Sequence, residues 1–349
     1  MTRVIAIDGL GGDNAPSAVV EGLRLNAERN PDISYIVTGP IDQMTSVFGG
    51  LTIAGERISF VDAPDHVSMD AKPSQAVRQG RNSSLWKAIE EVKEGRAHAV
   101  VSGGNTGALM AMSALQLRTI DGIDRPAIAA IWPTLRSESI VLDVGANLEA
   151  NAKQLTQFAL MGVEFARLGL GVRRPTVGLL NIGSEDQKGR EEIREAQDML
   201  LAMDDASFSY EGFVEGNDIS KGTVDVVVTD GFTGNVALKS AEGTAKQVGD
   251  YLRAALSRSI GGRIGYFLAK GALVAFKRRV DPRRVNGGPL LGLNGLVVKS
   301  HGGTDGIGFA SALDLAVDLA KAGITDKLHQ RVALMNKVVD ENGQAVSAS

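Results

Sequence analysis

Arg3-Val-Ile-Ala-Ile-Asp-Gly-Leu-Gly-Gly-Asp-Asn14 is a short β-branched apolar run that stops abruptly in a turn of Asp, Gly and Asn. Five more runs end the same way. Residues 97–101 lead into Ser102-Gly-Gly-Asn-Thr-Gly107, and residues 140–142 into Asp143-Val-Gly-Ala-Asn147. Residues 176–180 lead into Asn181-Ile-Gly-Ser-Glu-Asp-Gln-Lys-Gly189, and residues 224–228 into Thr229-Asp-Gly-Phe-Thr-Gly-Asn235. Residues 296–299 lead into Ser300-His-Gly-Gly-Thr-Asp305. Short Val/Ile runs suit strands buried on both faces, and their alternation with helical periods predicts a mainly parallel sheet. The helical periods are plain between the loops: Gln154, Phe158, Met161 and Phe165 form one stripe, and Ala241, Ala245, Val248 and Leu252 another.

The fold class expected is therefore α/β, a three-layer α/β/α arrangement around a mainly parallel, mixed sheet. At 349 residues the chain exceeds the roughly 250–300 at which single cores stop growing, so residues 1–340 form one large α/β unit or two lobes. The small polar tail, residues 344–349, is expected to fray.

In such sheets ligands bind beyond the carboxyl ends of the strands. The six loops are thus expected along one edge, where Gly-rich backbone and helix starts favour an anion. The candidate anion contacts are Asp8, Gly11, Gly12, Asp13, Asn105, Thr106, Gly107, Asn147, Asp230, Thr233 and His301. The plainer alternative for each is turn structure, since Gly, Asn and Asp serve strand-to-helix turns in any α/β protein.

Several chemistries lack their residues. The chain has no cysteine, so thiolate catalysis and disulfides are excluded, and a reducing compartment fits. Asn14 stands where a dinucleotide fingerprint needs its third glycine, and no Walker-type phosphate loop or Gly-x-Ser-x-Gly elbow is present. The histidines His66, His98, His301 and His329 are scattered without metal-ligand spacing, so neither metal nor cofactor is expected. His98, inside an apolar run, reads as a structural histidine. A net charge of −4 argues against nucleic acid as a partner. The first apolar stretch ends at Asp8, too short for a signal-peptide core, and no run approaches the roughly 20 apolar residues that span a bilayer, so the cytoplasm is expected. With thiol, elbow and metal all lacking, a covalent acyl-enzyme is disfavoured, and direct attack by a bound anionic nucleophile stays open.

The order of the loops resembles the PlsX family of phosphate:acyl-acyl-carrier-protein acyltransferases. The resemblance rests on Asp8-Gly-Leu-Gly-Gly-Asp13, Gly104-Asn-Thr-Gly-Ala-Leu-Met110, Leu142-Asp-Val-Gly-Ala-Asn147, Leu179-Leu-Asn-Ile-Gly183 with Lys188-Gly189, Asp230-Gly-Phe-Thr-Gly-Asn235, and Gly287-Gly-Pro-Leu-Leu-Gly292 before His301-Gly302. Gly103 and Gly303 depart from the usual Ala and Ser at their positions.

The resemblance implies a homodimer with a fold akin to isocitrate dehydrogenases and phosphotransacetylases. It implies transfer of an acyl group from acyl carrier protein to orthophosphate, and an acyl phosphate product that feeds a membrane glycerol-3-phosphate acyltransferase in phospholipid synthesis. It carries catalytic roles onto Lys188, as a positive charge for phosphate, and Asn235, as an oxyanion donor. The alternatives are a solvated loop lysine and a helix cap. Two other functions compete: a phosphotransacetylase acting on short acyl-CoA, and a non-enzymatic membrane scaffold for lipid synthesis.

Residues 239–284 read as a helical insert. Residues 251–284 hold nine Lys/Arg against one acid, a formal +8 that leaves −12 for the rest of the chain. Within them, residues 264–276 are apolar on every face except at Lys270, which as one helix spans about 20 Å. Such a surface needs a partner. A dimer interface, an anionic membrane met peripherally, and the acidic acyl carrier compete for it, with Arg263, Lys270, Lys277, Arg278 and Arg279 as the basic contacts.

Overall fold

The computed structural model describes residues 3–50, 57–203, 205–279 and 281–333; the expected frayed tail at residues 344–349 lies outside these. Eleven strands form one sheet in the order β3-β2-β1-β4-β11-β10-β5-β6-β9-β7-β8. In chain order they are β1 (Arg3–Asp8), β2 (Ile33–Gly39), β3 (Ile58–Asp62), β4 (Ala99–Ser102), β5 (Ala127–Pro133), β6 (Glu138–Leu142), β7 (Thr176–Leu180), β8 (Ser209–Val214), β9 (Val226–Val228), β10 (Gly288–Leu291) and β11 (Leu296–Lys299). All six runs found in the sequence are strands.

Helices cover both faces, as strands apolar on both sides require. One face carries α1 (Ser17–Arg29), α2 (Ile41–Phe48), α6 (Ala152–Gly169), α7 (Glu191–Leu201) and α12 (Gly306–Ala322). The other carries α3 (Pro73–Gln79), α4 (Ser84–Lys93), α5 (Thr106–Leu117), α8 (Gly216–Lys221) and the start of α9 (Gly231–Ser257). The three layers are thus those expected. Helix α6 shows how local chemistry sets an element. Asn151 and Gln154 make a reciprocal capping box at its start, and Phe158, Met161 and Phe165 are fully buried along the stripe read from the sequence.

The loops do not share one edge. Strands β3, β2, β1, β4 and β11 are mutually parallel; so are β6, β9, β7 and β8. Between these groups stand β10 and β5, with antiparallel pairings β11–β10, β10–β5 and β5–β6. Three reversals make the two groups run in opposite directions. The register then decides where their ends lie. Leu142 pairs with Ala129, one residue from Ile128, which faces Leu290, then Val297, Val100 and Ala6 across the sheet. The first group therefore ends at Asp8, Ser102 and Lys299, at nearly the same level where the second ends at Leu142 and Val228. The two parallel groups, called the two lobes below, thus bring their carboxyl ends together at the waist of the sheet, between β11 and β6. Three strand spacings, about 14 Å, separate β11 from β6.

The insert also differs from its reading. Helix α9 runs for 27 residues, about 40 Å, and of these only Gly231 and Gly234 are buried. Val248 and Leu252, read as part of a core stripe, are exposed. The apolar stretch is split at Ala269 into α10 (Ile260–Leu268) and α11 (Lys270–Arg279), in a segment weakened as a helix by Gly261, Gly262, Gly265 and Gly271. No helix of the described residues is long and apolar enough to cross a membrane.

Candidate active site

At the end of β1, Asp8 is buried and accepts hydrogen bonds from Ser84 Oγ at 2.5 Å and Ser102 Oγ at 2.7 Å. Burial raises its pKa against the pull of those two hydroxyls. A Cβ on Gly11 would stand 2.4 Å from Asp8 Oδ2, so the loop folds directly over the carboxylate. Gly12 has φ +115°, and its Cβ position is 3.0 Å from Gly302 O; only glycine suits that turn. The loop is stitched to its neighbour by Asp13 N to Gly302 O at 2.9 Å and by Asn14 Nδ2 to the Gly303 and Thr304 carbonyls. Asp8, Gly11, Gly12, Asp13 and His301 thus share one cradle.

Asn105 has a different task. Its Oδ1 caps α5 by accepting from Ala108 N, and its Nδ2 donates to the Ser68, Met69 and Ala71 carbonyls. The side-chain amide is fully engaged, which leaves the backbone N–H groups and the Thr106 hydroxyl of this turn to face an anion. Thr106 and Gly107 follow in the first turn of α5, with Thr106 exposed.

The cradle contains a residue that the sequence reading passed over. Lys299 ends β11, and its ammonium donates to the carbonyls of Gly103, at 3.3 Å, and Ser300. Burial lowers its pKa to about 8, opposed by the nearby carboxylates of Asp13 and Asp8. His301 follows it: its Nδ1 accepts from Gly303 N, and burial first, then the Lys239 charge, lowers its pKa. A lysine closing an otherwise apolar strand was the available signal.

In the second lobe, Asp143 is buried and accepts from the backbone amides of Ile128, Gly145, Ala146 and Asn147. Asn147 Nδ2 donates to Pro126 O and Asp143 Oδ2, both at 2.9 Å. The Asn147 side chain is therefore a stitch within this loop. Asp230 caps α9 by accepting from Thr233 N at 2.8 Å, receives the Thr233 hydroxyl, and pairs with Arg190. Asp230 and Thr233 accordingly hold the helix start together. Lys188 is exposed and pairs with Glu185 at 3.1 Å, while its carbonyl accepts from Asn181 Nδ2.

Asn235 stands apart. Asp230 is the cap, so Asn235 is not one. Its amide is exposed and hydrogen-bonds no other described residue, and Gly145 packs beside it, its Cβ position 3.5 Å from Asn235 Nδ2. One turn further on, the i+4 neighbour Lys239 lies on the same helix face, close enough that Lys299 and His301 both feel its charge. The first turns of α9 therefore bridge the two lobes, from the 143–147 loop to the 299–303 loop. A cavity of ≈ 280 Å³ opens beside them, lined among others by Leu155, Leu179, Ile193, Gly189 and Thr233.

Among solved structures, the chain resembles a EutD phosphotransacetylase from Staphylococcus aureus, with TM-score 0.58 and 16% identity over 92% of this chain and 94% of that one. A phosphotransacetylase from Streptococcus pyogenes gives TM-score 0.57 at 16% identity, with 92% and 94% covered. The fatty acid synthesis protein family matches residues 3–327. A phosphate acyltransferase of Rhizobium rhizogenes strain K84 is 53% identical over 325 residues, 93% of each chain. One from Agrobacterium fabrum strain C58 is 54% identical over 93% of this chain and 92% of that one. The likeness to these solved structures shows an α/β fold shared with phosphotransacetylases. The chain belongs to the fatty acid synthesis protein family and is an acyltransferase.

Proposed function

We propose that the enzyme transfers an acyl group from an acyl-carrier-protein thioester to orthophosphate, releasing free carrier and an acyl phosphate for acylation of glycerol 3-phosphate. The observation that carries the reading is Asn235: an amide that bonds no other described residue, packed beside Gly145 and one helix turn before Lys239, whose charge reaches Lys299. The name phosphate acyltransferase, borne by relatives more than half identical, supports it.

Orthophosphate binds as the anion between the lobes. Lys188 approaches from the β7 loop, and Lys239, Lys299 and His301 stand across the waist. A phosphate oxygen attacks the thioester carbon, and the carbonyl oxygen becomes an oxyanion that accepts from Asn235 Nδ2. The C–S bond then breaks, the sulfur leaves with the electron pair and takes a proton, and the C–O–P linkage remains. No side chain is acylated. Purified enzyme should release free carrier from long-chain acyl carrier only when phosphate is added. Equal turnover with acetyl-CoA and long-chain acyl carrier would favour a short-chain phosphotransacetylase instead.

Lys299 gives a pH prediction. Its ammonium is present below pH 8 and lost above it; because orthophosphate itself titrates across the lower part of that range, its KM is counted on the dianion. The KM for phosphate should rise about tenfold between pH 7 and 9, as a group titrating near 8 requires. Lys299→Met should show a high KM with a flat profile; a variant profile parallel to that of the wild type would remove Lys299 from phosphate binding.

The insert supports two partner proposals. Ile260, Ile264, Phe267 and Leu268 leave large apolar side chains exposed on α10, and Val248 and Tyr251 do so on α9. These surfaces suit a second copy of the chain along α9 and peripheral contact with an anionic membrane at the tip, where Arg263 and Lys270 are exposed. The side chains of Lys277, Arg278 and Arg279 lie outside the described set.

A further inference from the structure

We infer that the cavity at the carboxyl ends of β7 and β9 holds the hydrocarbon tail of the acyl substrate and sets which chain lengths are used. This rests on the acyl-transfer reading above. Three observations lead to it.

The cavity walls are chiefly aliphatic, from Leu155 on α6, Leu179 and Leu180 on β7, Ile193 on α7 and Val228 on β9. Four of its six polar members are already engaged; the Glu192 carboxylate and the Thr229 hydroxyl bond no other described residue. Asn181 Nδ2 donates to Lys188 O while its Oδ1 accepts from Ile182 N; Asp230 takes both the amide and the hydroxyl of Thr233 and pairs with Arg190. A ligand entering here meets few unpaired polar groups, which favours an apolar one. At ≈ 280 Å³ the space is near the lower end of the roughly 300–1,000 Å³ of ligand sites, and suits a slender chain.

The mouth carries exposed apolar side chains. Ile182, itself on the wall, is 80% exposed; Leu148, two residues before the wall residue Ala150, is 78% exposed; Phe232, next to the wall residue Thr233, is 62% exposed. They come from three separate segments, the loops after β6 and β7 and the first turn of α9, so chain continuity does not force them together. Loops of this chemistry would ordinarily turn polar side chains outward.

The cavity also adjoins the reacting groups. Gly189 and Thr233 line it, and they flank Lys188 by one residue and Asn235 by two. A carbonyl at Asn235 could therefore trail its alkyl tail between α6, α7 and β7 without leaving the site.

The test uses two substitutions of opposite sign at Ile193, a partly buried wall residue outside the proposed chemistry. Turnover is compared with C4 and C16 acyl carriers, and palmitate binding is measured separately by displacement of a fluorescent fatty acid. Ile193→Trp should lower the C16-to-C4 ratio of kcat/KM at least tenfold and weaken palmitate binding by a similar factor. Ile193→Ala should move the ratio the other way. Unchanged ratio and unchanged palmitate binding in both variants would overturn the inference, as would a changed oligomeric state alone, which would assign the apolar mouth to a second copy. If the wild type forms no acyl phosphate from any carrier, the reaction reading fails; loss of palmitate binding in Ile193→Trp would still support the pocket, and its retention would still overturn it.

Discussion

Asn235→Ala is expected to fold as the wild type does and to turn over about a hundredfold more slowly, a loss of about 3 kcal/mol of barrier stabilisation, typical of removing one oxyanion donor. The two halves of this expectation have separate causes. Folding is spared because Asp230 caps α9 and the Asn235 side chain bonds no other described residue. Rate is lost because the uncharged donor stabilises charge that exists only once the carbonyl turns tetrahedral. The fall should therefore appear in kcat, with the KM for phosphate nearly unchanged. Lys188→Ala should behave differently. Its partner Glu185 is itself a solvated surface group, so stability should hold, while the missing positive charge should raise the KM for phosphate as well as lower kcat. Steady-state kinetics beside thermal unfolding of both variants checks this. Near-normal kcat in folded Asn235→Ala would remove its proposed role.

Gly234→Ala should be the most disruptive single methyl addition near the site. The new Cβ would lie 1.9 Å from Asp143 O and 3.0 Å from Thr229 Cγ2. Asp143 cannot easily yield, because four backbone amides and Asn147 Nδ2 hold its carboxylate. Helix α9 must therefore lift, carrying Asn235 and Lys239 away from the waist. Overpacking typically costs about 1–3 kcal/mol, and a collision between backbone groups belongs at or above the upper end. Chemical denaturation should show a loss of about 3 kcal/mol, with turnover falling at least as far as in Asn235→Ala. Gly243→Ala, on the same helix but with nothing within 4 Å of the added methyl, should leave stability unchanged or slightly raised. Equal stability of the two variants would contradict the close seat of α9 on the 143–147 loop.

The strands and the layers were legible because Val/Ile runs and stripes such as Phe158, Met161 and Phe165 carry their period in the residues themselves. The direction of the strands was not. It is set by β5 and β10, which join β6 and β11 through the short turns at residues 134–137 and 292–295 instead of through a helix, and three antiparallel pairings there turn the second lobe over. A grammar of strand and loop is the same read up or down, so six similar loops looked like one edge.

The site divided in the same way. Glycines 11 and 12 and Asp8 could be read because a tight turn over a carboxylate leaves a local signature. The stitching done by the Asn105 and Asn147 side chains was not legible, since their partners, Met69 and Pro126, are distant in the chain. Lys299 was passed over for a similar reason. It reads as the polar end of a strand, and only the folded cradle places it beside Asp8 and Asp13.

Single-turnover mixing of the enzyme with acyl-labelled carrier, quenched with and without phosphate, tests direct transfer most plainly. Without phosphate, no label should attach covalently to the protein and no free carrier thiol should form. With it, acyl phosphate and free thiol should appear together in equal amounts. Label bound to the protein, or carrier released before phosphate is added, would contradict direct attack.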